Sequence, residues 1–337
     1  MKNKLFIISN ESISSNNDEN FCDNIDLKSI PEELNNFFDV TLIARKSNHI
    51  RSKKINLKNI FLSNNIIYFL FLIIRSFKEK NSKYLIISLS PYTFLGSLLL
   101  KIFSKQHFLY LRSDGFEEYR AIFGTVGVII YKIFFFIGTI NANLIACREH
   151  LLKRKKGTVV QPSQLNEKWF QNRETKPIKT NLLYVGRLRI EKGIFSLIKM
   201  VKNKNLSLTI VTSEKEVKLK DNYKNISLIT FENKNDAIIK IYDECNILIL
   251  PSYTEAHPQV LDEALARCRP VIIFKEIEHV KRDRQGVFVC ERNFESLNNK
   301  INHILNNYQN IFNEIKMNKL PTKKNFINQL KEIIVIK

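Results

Sequence analysis

Two unbroken apolar runs, Ile247–Leu250 and Val271–Phe274, confine the fold of this chain more than any other feature. Four apolar residues in succession, the first set closed by Pro251-Ser252, read as strands buried on both faces of a parallel sheet. Between the runs Val260, Leu261, Ala264 and Leu265 recur at helical spacing. Pro258 stands where a first helical turn tolerates proline, because the missing N–H has no partner there anyway. The stretch is therefore strand, loop, helix, strand. Glu255 lies in the loop and Glu263 in the second helical turn. Both are then near a strand's carboxyl end and a helix N-terminus, whose free N–H groups and dipole attract phosphate. The bland alternative makes Glu255 a capping carboxylate and Glu263 a solvated helix residue.

A second element supports the chemical reading. The apolar run after Asn181 leads into Gly186, which lets the backbone turn tightly, then Arg187 and, five residues on, Lys192-Gly193. A planar guanidinium and a compact ammonium are the donors a diphosphate requires. Cations at a helix start oppose the dipole, so a purely structural role suits them poorly.

These elements resemble the signatures of the retaining GT-B glycosyltransferases of family 4 (glycosyl transferases group 1). In that family a strand ends in P-S, E-G-F-P-x-V-x-x-E-A follows, and a small pair precedes P-V-I. Here Ser252, Glu255, Pro258, Val260, Glu263, Ala264, Pro270 and Val271 fall in register, while Ala256-His257 replace Gly-Phe and Arg269 stands where glycine is common. Gly186 to Gly193 resembles the family's G-R-x-x-x-x-K-G. The segment VVQPSQLNEKWF resembles its interdomain connection, with Asn166 and Phe170 in register and Ser163-Gln164 replacing Asn-Gly.

The resemblance implies an α/β chain of two Rossmann-like, doubly wound parallel-sheet domains facing a cleft. Residues 1–163 would form the acceptor side and 164–310 the nucleotide-sugar side, with a helical segment, 311–337, crossing back. It implies a donor site of Gly186, Arg187, Lys192, Ser252, His257, Pro258, Gln259, Val260 and Glu263, with Glu263 on the ribose and Glu255 catalytic against the transferred sugar. Asp114, after the strand His107–Leu111, would be the acceptor-side catalytic residue; on local chemistry alone Asp114-Gly115 reads equally well as a turn. No Asp-x-Asp is present to bring a metal to the diphosphate, and no cofactor is implied. The partners implied are a nucleotide-diphosphate sugar and a saccharide or lipid-linked acceptor, as in bacterial cell-surface polysaccharide or lipopolysaccharide synthesis. An epimerase of the same fold and a non-catalytic polyanion-binding protein are the alternatives.

Composition bounds the partners. Lys+Arg of 53 against Asp+Glu of 33 leaves +20, which favours anionic partners. The lysines are spread along the chain and no nucleic-acid motif accompanies them, which argues against nucleic acid. Five cysteines without paired spacing, and no secretory signal, suit a reducing cytoplasm. Ile66 to Ile74 is nearly all apolar and is followed by Arg75, Lys78, Lys80 and Lys83; Val126 to Ile140 is similar, interrupted by Lys132. The first is too short for the ~20 residues a span requires. It reads as a buried helix or as an interfacial one on the inner face of an anionic membrane. Nearer the start, Leu5 to Ile8 and Val40 to Ile43 read as the first strands, joined through a loop at Ser9-Asn10-Glu11-Ser12 and a helix from about Ile25 to Phe38.

Overall fold

Runs of apolar residues too short for helices build two separate sheets. The computed structural model describes residues 2–16, 19–173, 180–212, 214, 223–230, 235–255 and 257–336, the side chains of 235 and 236 excepted. The chain divides into two units, Met1–Pro162 with Lys324–Lys337, and Ser163–Lys323.

In the first unit the strands are β1 (Lys4–Asn16), β2 (Glu19–Cys22), β3 (Asp39–Lys46), β4 (Lys53–Ile55), β5 (Asn59–Ser63), β6 (Lys83–Ile87), β7 (His107–Leu111), β8 (Asn143–Ala146) and β9 (Gly157–Val159). Seven of them pair in parallel in the order β5-β3-β1-β6-β7-β8-β9. The chain moves one way from β1 and then the other, the doubly wound pattern. The expected loop at Ser9 to Ser12 is instead part of β1, which shifts register between Ile8 and Ser12 and runs on to pair with β2. Ile13, fully buried beyond the irregularity, is the apolar anchor that keeps this segment extended.

Helix α1 (Ile25–Leu34) is capped by Asn24 and ends short of the expected Phe38. Helices α2 (Ile66–Ser76), α3 (Pro91–Ile102) and α4 (Gly115–Gly138) pack side by side, α3 between the other two. Right-handed crossovers into β6, β7 and β8 put all three on one face of the sheet.

The second unit has β10 (Asn181–Val185), α5 (Ile194–Val201), β11 (Ser207–Thr212), β12 (Ile226–Thr230), α6 (Asn235–Glu244), β13 (Ile247–Leu250), α7 (Gln259–Ala266), β14 (Val271–Phe274), β15 (Val287–Cys290), α8 (Phe294–Asn306) and α9 (Tyr308–Lys316). All six strands are parallel, in the order β12-β11-β10-β13-β14-β15. The winding reverses between β10 and β13, so a crevice opens at their carboxyl ends, where doubly wound sheets bind ligands. Arg267, at the end of α7, is almost fully buried. Its guanidinium bridges Asp243 at 2.8 Å and donates to the carbonyls of Trp169, Gln171 and Asn172, which fixes α7 to the chain entering the unit.

The terminal segment expected from residue 311 is divided. Helix α9 buries Ile311, Phe312 and Ile315 in the second unit's core, whereas α10 (Lys323–Ile336) buries Phe326, Ile327, Leu330 and Ile334 in the first unit's. Pro321 falls between the two helices, where a residue without an N–H can end one but not continue it. The Lys83 ammonium donates to the carbonyls of Ile334 and Val335, a cation at the negative end of α10.

Because Leu330 has no exposed surface, Leu330→Ala should lower unfolding stability by about 2–5 kcal/mol. The exposed Glu332→Ala should change it by less than about 0.5 kcal/mol. Urea denaturation of the two variants beside the wild type checks the role given to α10.

Candidate active site

The crevice between β10 and β13 is a cavity of about 260 Å³. Of the donor residues expected from sequence, Gly186, Arg187, Lys192, Ser252, His257, Pro258, Gln259 and Val260 all line it, together with Glu255. Ala256 lies outside the described residues.

The loop after β10 is shaped by backbone contacts. Gly186 N–H donates to the Val211 carbonyl at 2.9 Å, and the Tyr184 hydroxyl to the Arg187 carbonyl at 2.7 Å. Glu214 accepts from the Leu188 N–H at 2.8 Å and pairs with Arg189 at 3.2 Å. At Gly193 φ is +67°, and a Cβ there would lie 1.8 Å from the Pro251 carbonyl oxygen, so glycine is required twice over.

Directly beside it, Lys192 Nζ meets Glu255 Oε1 at 2.6 Å, and Ser252 Oγ donates to the same oxygen at 2.7 Å. The carboxylate is thus held by one charge-assisted and one hydroxyl bond, in a part-buried setting where such bonds are stronger than in water. The loop's backbone is pinned in turn, for His279 Nε2 lies 2.8 Å from the Glu255 carbonyl. Arg292 donates to the carbonyls of Pro251 at 2.9 Å and Ser252 at 3.2 Å, and its guanidinium stacks 4.0 Å from the Tyr253 ring centroid.

Helix α7 starts at Gln259 with Pro258 as its N-cap, and these first residues line the cavity. Leu261 N–H already bonds back to the Pro258 carbonyl at 3.2 Å, whereas the N–H groups of Gln259 and Val260 precede the helix's own ladder, and the dipole adds positive potential. Behind this turn His257 Nε2 lies 3.5 Å from Asp262, which pairs with Arg284 at 2.7 Å; all three side chains are nearly buried.

Two expected site residues stand apart from the cavity. Glu263 is half-buried on α7, outside the lining, and accepts a 2.8 Å hydrogen bond from the Tyr242 hydroxyl. Burial pushes its carboxyl up to about 7, the Tyr242 hydrogen bond opposing and the neighbouring Asp262 charge adding to the rise. Asp114 belongs to the first unit, where it is the N-cap of α4, accepting from the Phe116 N–H at 3.0 Å and pairing with Lys153 at 3.0 Å. Locally Asp114 opens a helix, where the Asp-Gly pair suggests a turn.

Residues 166–324 match the model of the glycosyl transferases group 1 family. The matched stretch covers nearly the whole second unit. An uncharacterized glycosyltransferase of Haemophilus influenzae is 28% identical over 168 residues, 46% of this chain and 48% of that relative. The aligned stretch is therefore about half the relative's length.

Similarity to solved structures extends over both units. Sucrose-phosphate synthase from Thermosynechococcus elongatus aligns with TM-score 0.67 and 17% identity over 98% of each chain. Anabaena HepE in complex with UDP aligns with TM-score 0.71 and 12% identity, over 99% of this chain and 100% of that one. The UDP-GlcNAc 2-epimerase from Neisseria meningitidis, bound to UDP-GlcNAc, aligns with TM-score 0.60, 12% identity and the same coverage. At such identities the likeness is one of fold, and the fold is GT-B.

Sequence reading found Arg187, Lys192 and Glu255, which line the crevice, but none of their supports. Arg292, His279, Glu214 and Tyr242 arrive from distant segments in no recognisable spacing, and only the fold brings them in.

The raised Glu263 carboxyl has a stability consequence. Between its ordinary value of 4.5 and about 7 the folded chain holds a proton that the unfolded chain releases. Its contribution is therefore fully present below pH 4.5 and is lost as pH rises through 7. Glu263→Gln, neutral throughout, should remove that part of the slope. Denaturation midpoints of the two proteins, compared from pH 4.5 to 7.5, should diverge across this window and run parallel above it.

Proposed function

We propose that this chain is a retaining, metal-independent glycosyltransferase of family 4. It would take a sugar from a nucleotide-diphosphate donor and pass it to a saccharide or lipid-linked acceptor, in the making of a bacterial surface polysaccharide or lipopolysaccharide. The observation that carries the reading is the β10–β13 crevice, where Arg187, Lys192, Glu255 and the start of α7 converge on one cavity. The group 1 match over residues 166–324 supports the same chemistry, and UDP in the HepE structure supports a nucleotide-sugar donor.

In this mechanism Arg187, Lys192 and the N–H groups opening α7 meet the diphosphate. They neutralise charge as the bond to the anomeric carbon breaks, the task a metal performs elsewhere. Glu255 lies against the transferred sugar and offsets the positive charge developing at its anomeric carbon. Lys192 holds the Glu255 carboxyl group in position for that purpose through their 2.6 Å contact. By the family resemblance Glu263 takes the ribose, for which its side chain, outside the cavity lining and accepting from Tyr242, would have to turn toward the cavity. Asp114, on the first unit, serves the acceptor hydroxyl. The enzyme works in the cytoplasm, peripheral to the inner face of an anionic membrane.

Incubation with a panel of nucleotide sugars, with and without acceptor extracts, tests the reading. Release of nucleotide and transfer of sugar are expected; a changed sugar without acceptor would instead make the protein an epimerase, and no binding of any nucleotide sugar would sink both. Activity should persist in chelator, and its loss there with recovery on added Mg²⁺ would contradict the cationic site.

The two glutamates should fail differently. A contact that strengthens in the transition state governs kcat, whereas one felt equally before and during reaction governs KM. Glu255→Gln should lower kcat by about tenfold or more, and Glu263→Gln should mainly raise the donor KM. Steady-state kinetics on variants with unchanged thermal unfolding decide this, and a wild-type kcat in Glu255→Gln would remove Glu255 from catalysis.

A further inference from the structure

Among the described residues α4 is the one helix long and apolar enough to cross a bilayer, yet it does not run straight. At Gly124 the backbone has φ 62° and ψ −145°, far from helical values. A Cβ built on Gly127 would lie 2.1 Å from the Tyr119 carbonyl oxygen, and one on Gly115 would lie 2.1 Å from the Tyr131 ring. In a continuous helix those pairs would stand ~12 and ~24 Å apart along the axis. So α4 is a hairpin of two antiparallel helical arms with its apex at Gly124, and neither arm approaches the ~20 residues of a span.

The seam between the arms is aromatic. Phe116 and Tyr119 sit 4.9 and 5.2 Å from the Tyr131 ring, and Phe134 stacks on Phe94 of α3 at 4.5 Å. The apex is the opposite: Ile122, Phe123 and Val126 are 67%, 58% and 61% exposed, and a Cβ on Gly124 would meet nothing within 4 Å. Ile129, Ile133 and Phe136 continue the bare apolar face along the second arm, and on the same layer α2 exposes Ile67 and Phe71. Contiguous apolar surface of this kind marks an interaction site rather than ordinary protein exterior.

Charge identifies what the surface meets. Behind the apex stand Arg120, Lys132 and the run Lys153 to Lys156, with Lys155 over the Phe135 and Phe136 rings. The acids of the first arm are Glu117, paired with Arg120 at 2.8 Å, and Glu118. Helices α2 and α3 carry Arg75 and Lys101 and no acid. An apolar point with a basic belt behind it, in a chain of net charge +20, is complementary to an anionic lipid leaflet, acyl chains inside and headgroups outside.

We propose that the α4 hairpin is a wedge whose apex enters one leaflet of an anionic membrane, seating the protein on the bilayer without crossing it. This assigns the membrane location proposed above to one element and is independent of sugar transfer.

The test uses the full chain without sugars. Flotation with phosphatidylglycerol-containing vesicles should exceed that with pure phosphatidylcholine vesicles. Ile122→Ser/Phe123→Ser/Val126→Ser, at exposed positions and with thermal unfolding unchanged, should float about tenfold less or lower still. In Phe123→Trp the added indole should shift to the blue on binding and be quenched by lipids brominated on their acyl chains, while the buried Trp169 reports no change. Equal flotation of the triple variant would overturn the wedge and leave the membrane location to other elements. No flotation of the wild type would overturn both while leaving glycosyl transfer untouched. A dimer in sedimentation that the triple variant abolishes, without vesicle binding, would assign the face to a second copy instead.

Discussion

The contact between Lys192 and Glu255 joins the two loops on which the candidate site depends. One loop follows β10 and the other follows β13, so nothing in the sheet's hydrogen bonding fixes their mutual placement beyond the strand ends. At 2.6 Å, with side-chain exposures of 25% and 11%, the pair is shielded enough to exceed the modest worth of a surface salt bridge. It is also the kind of pair whose halves cannot be removed singly without leaving an uncompensated charge in a part-buried place. Ser252 shares the burden by donating to the same oxygen. The geometry tolerates no bulk at Gly193, because the Pro251 carbonyl occupies the space a side chain would need. Arg292 grips that same carbonyl from the other side. A cation-rich loop and a carboxylate-bearing loop are thereby locked face to face before any ligand arrives.

Much of this was legible in the sequence because it is local. The runs Ile247–Leu250 and Val271–Phe274 are strands with those bounds, and burial on both faces leaves a parallel interior strand as the natural outcome. The residues of Gly186 to Gly193 and Ser252 to Val260 are read together only because each set lies within one loop and one helix start. Support from afar has no such signature: Arg292 lies some forty residues beyond Pro251, and Tyr242 of α6 reaches Glu263 of α7 from about twenty residues earlier. Their roles arise from the strand order, which periodicity does not encode.

The first unit was less legible for a different physical reason. Ser9 to Ser12 looks like a polar loop by composition, but pairing with β3 and the buried Ile13 hold it in a strand. In α4 the apolar run conceals a reversal, since one glycine in a helical pattern costs only about 1 kcal/mol and need not break it. What breaks it is the partnership of Phe116 and Tyr119 with Tyr131, which rewards folding back over running on. Aromatic residues at helical spacing announce a packed face without saying whether the partner is another helix or the same one returned.

Cations in this chain serve more than one purpose, and this explains why a net charge of +20 alone discriminated so little between partners. In the second unit Arg187 and Lys192 line a cavity and Arg267 and Arg269 are buried on carbonyls and Asp243, so these four cations are committed to a site or to the fold while others, such as Lys240 and Lys275, lie on the surface. In the first, Arg75, Lys78, Lys80 and Lys132 stay exposed beside apolar residues that are exposed too. Charge next to bare hydrocarbon is an arrangement water does not favour and a lipid surface does. Asp114 stands at the junction of these uses, capping the hairpin that carries the apolar apex while its carboxylate draws Lys153 of the basic run toward the end of β7. A single side chain thus ties the end of β7 to the element proposed to meet the bilayer.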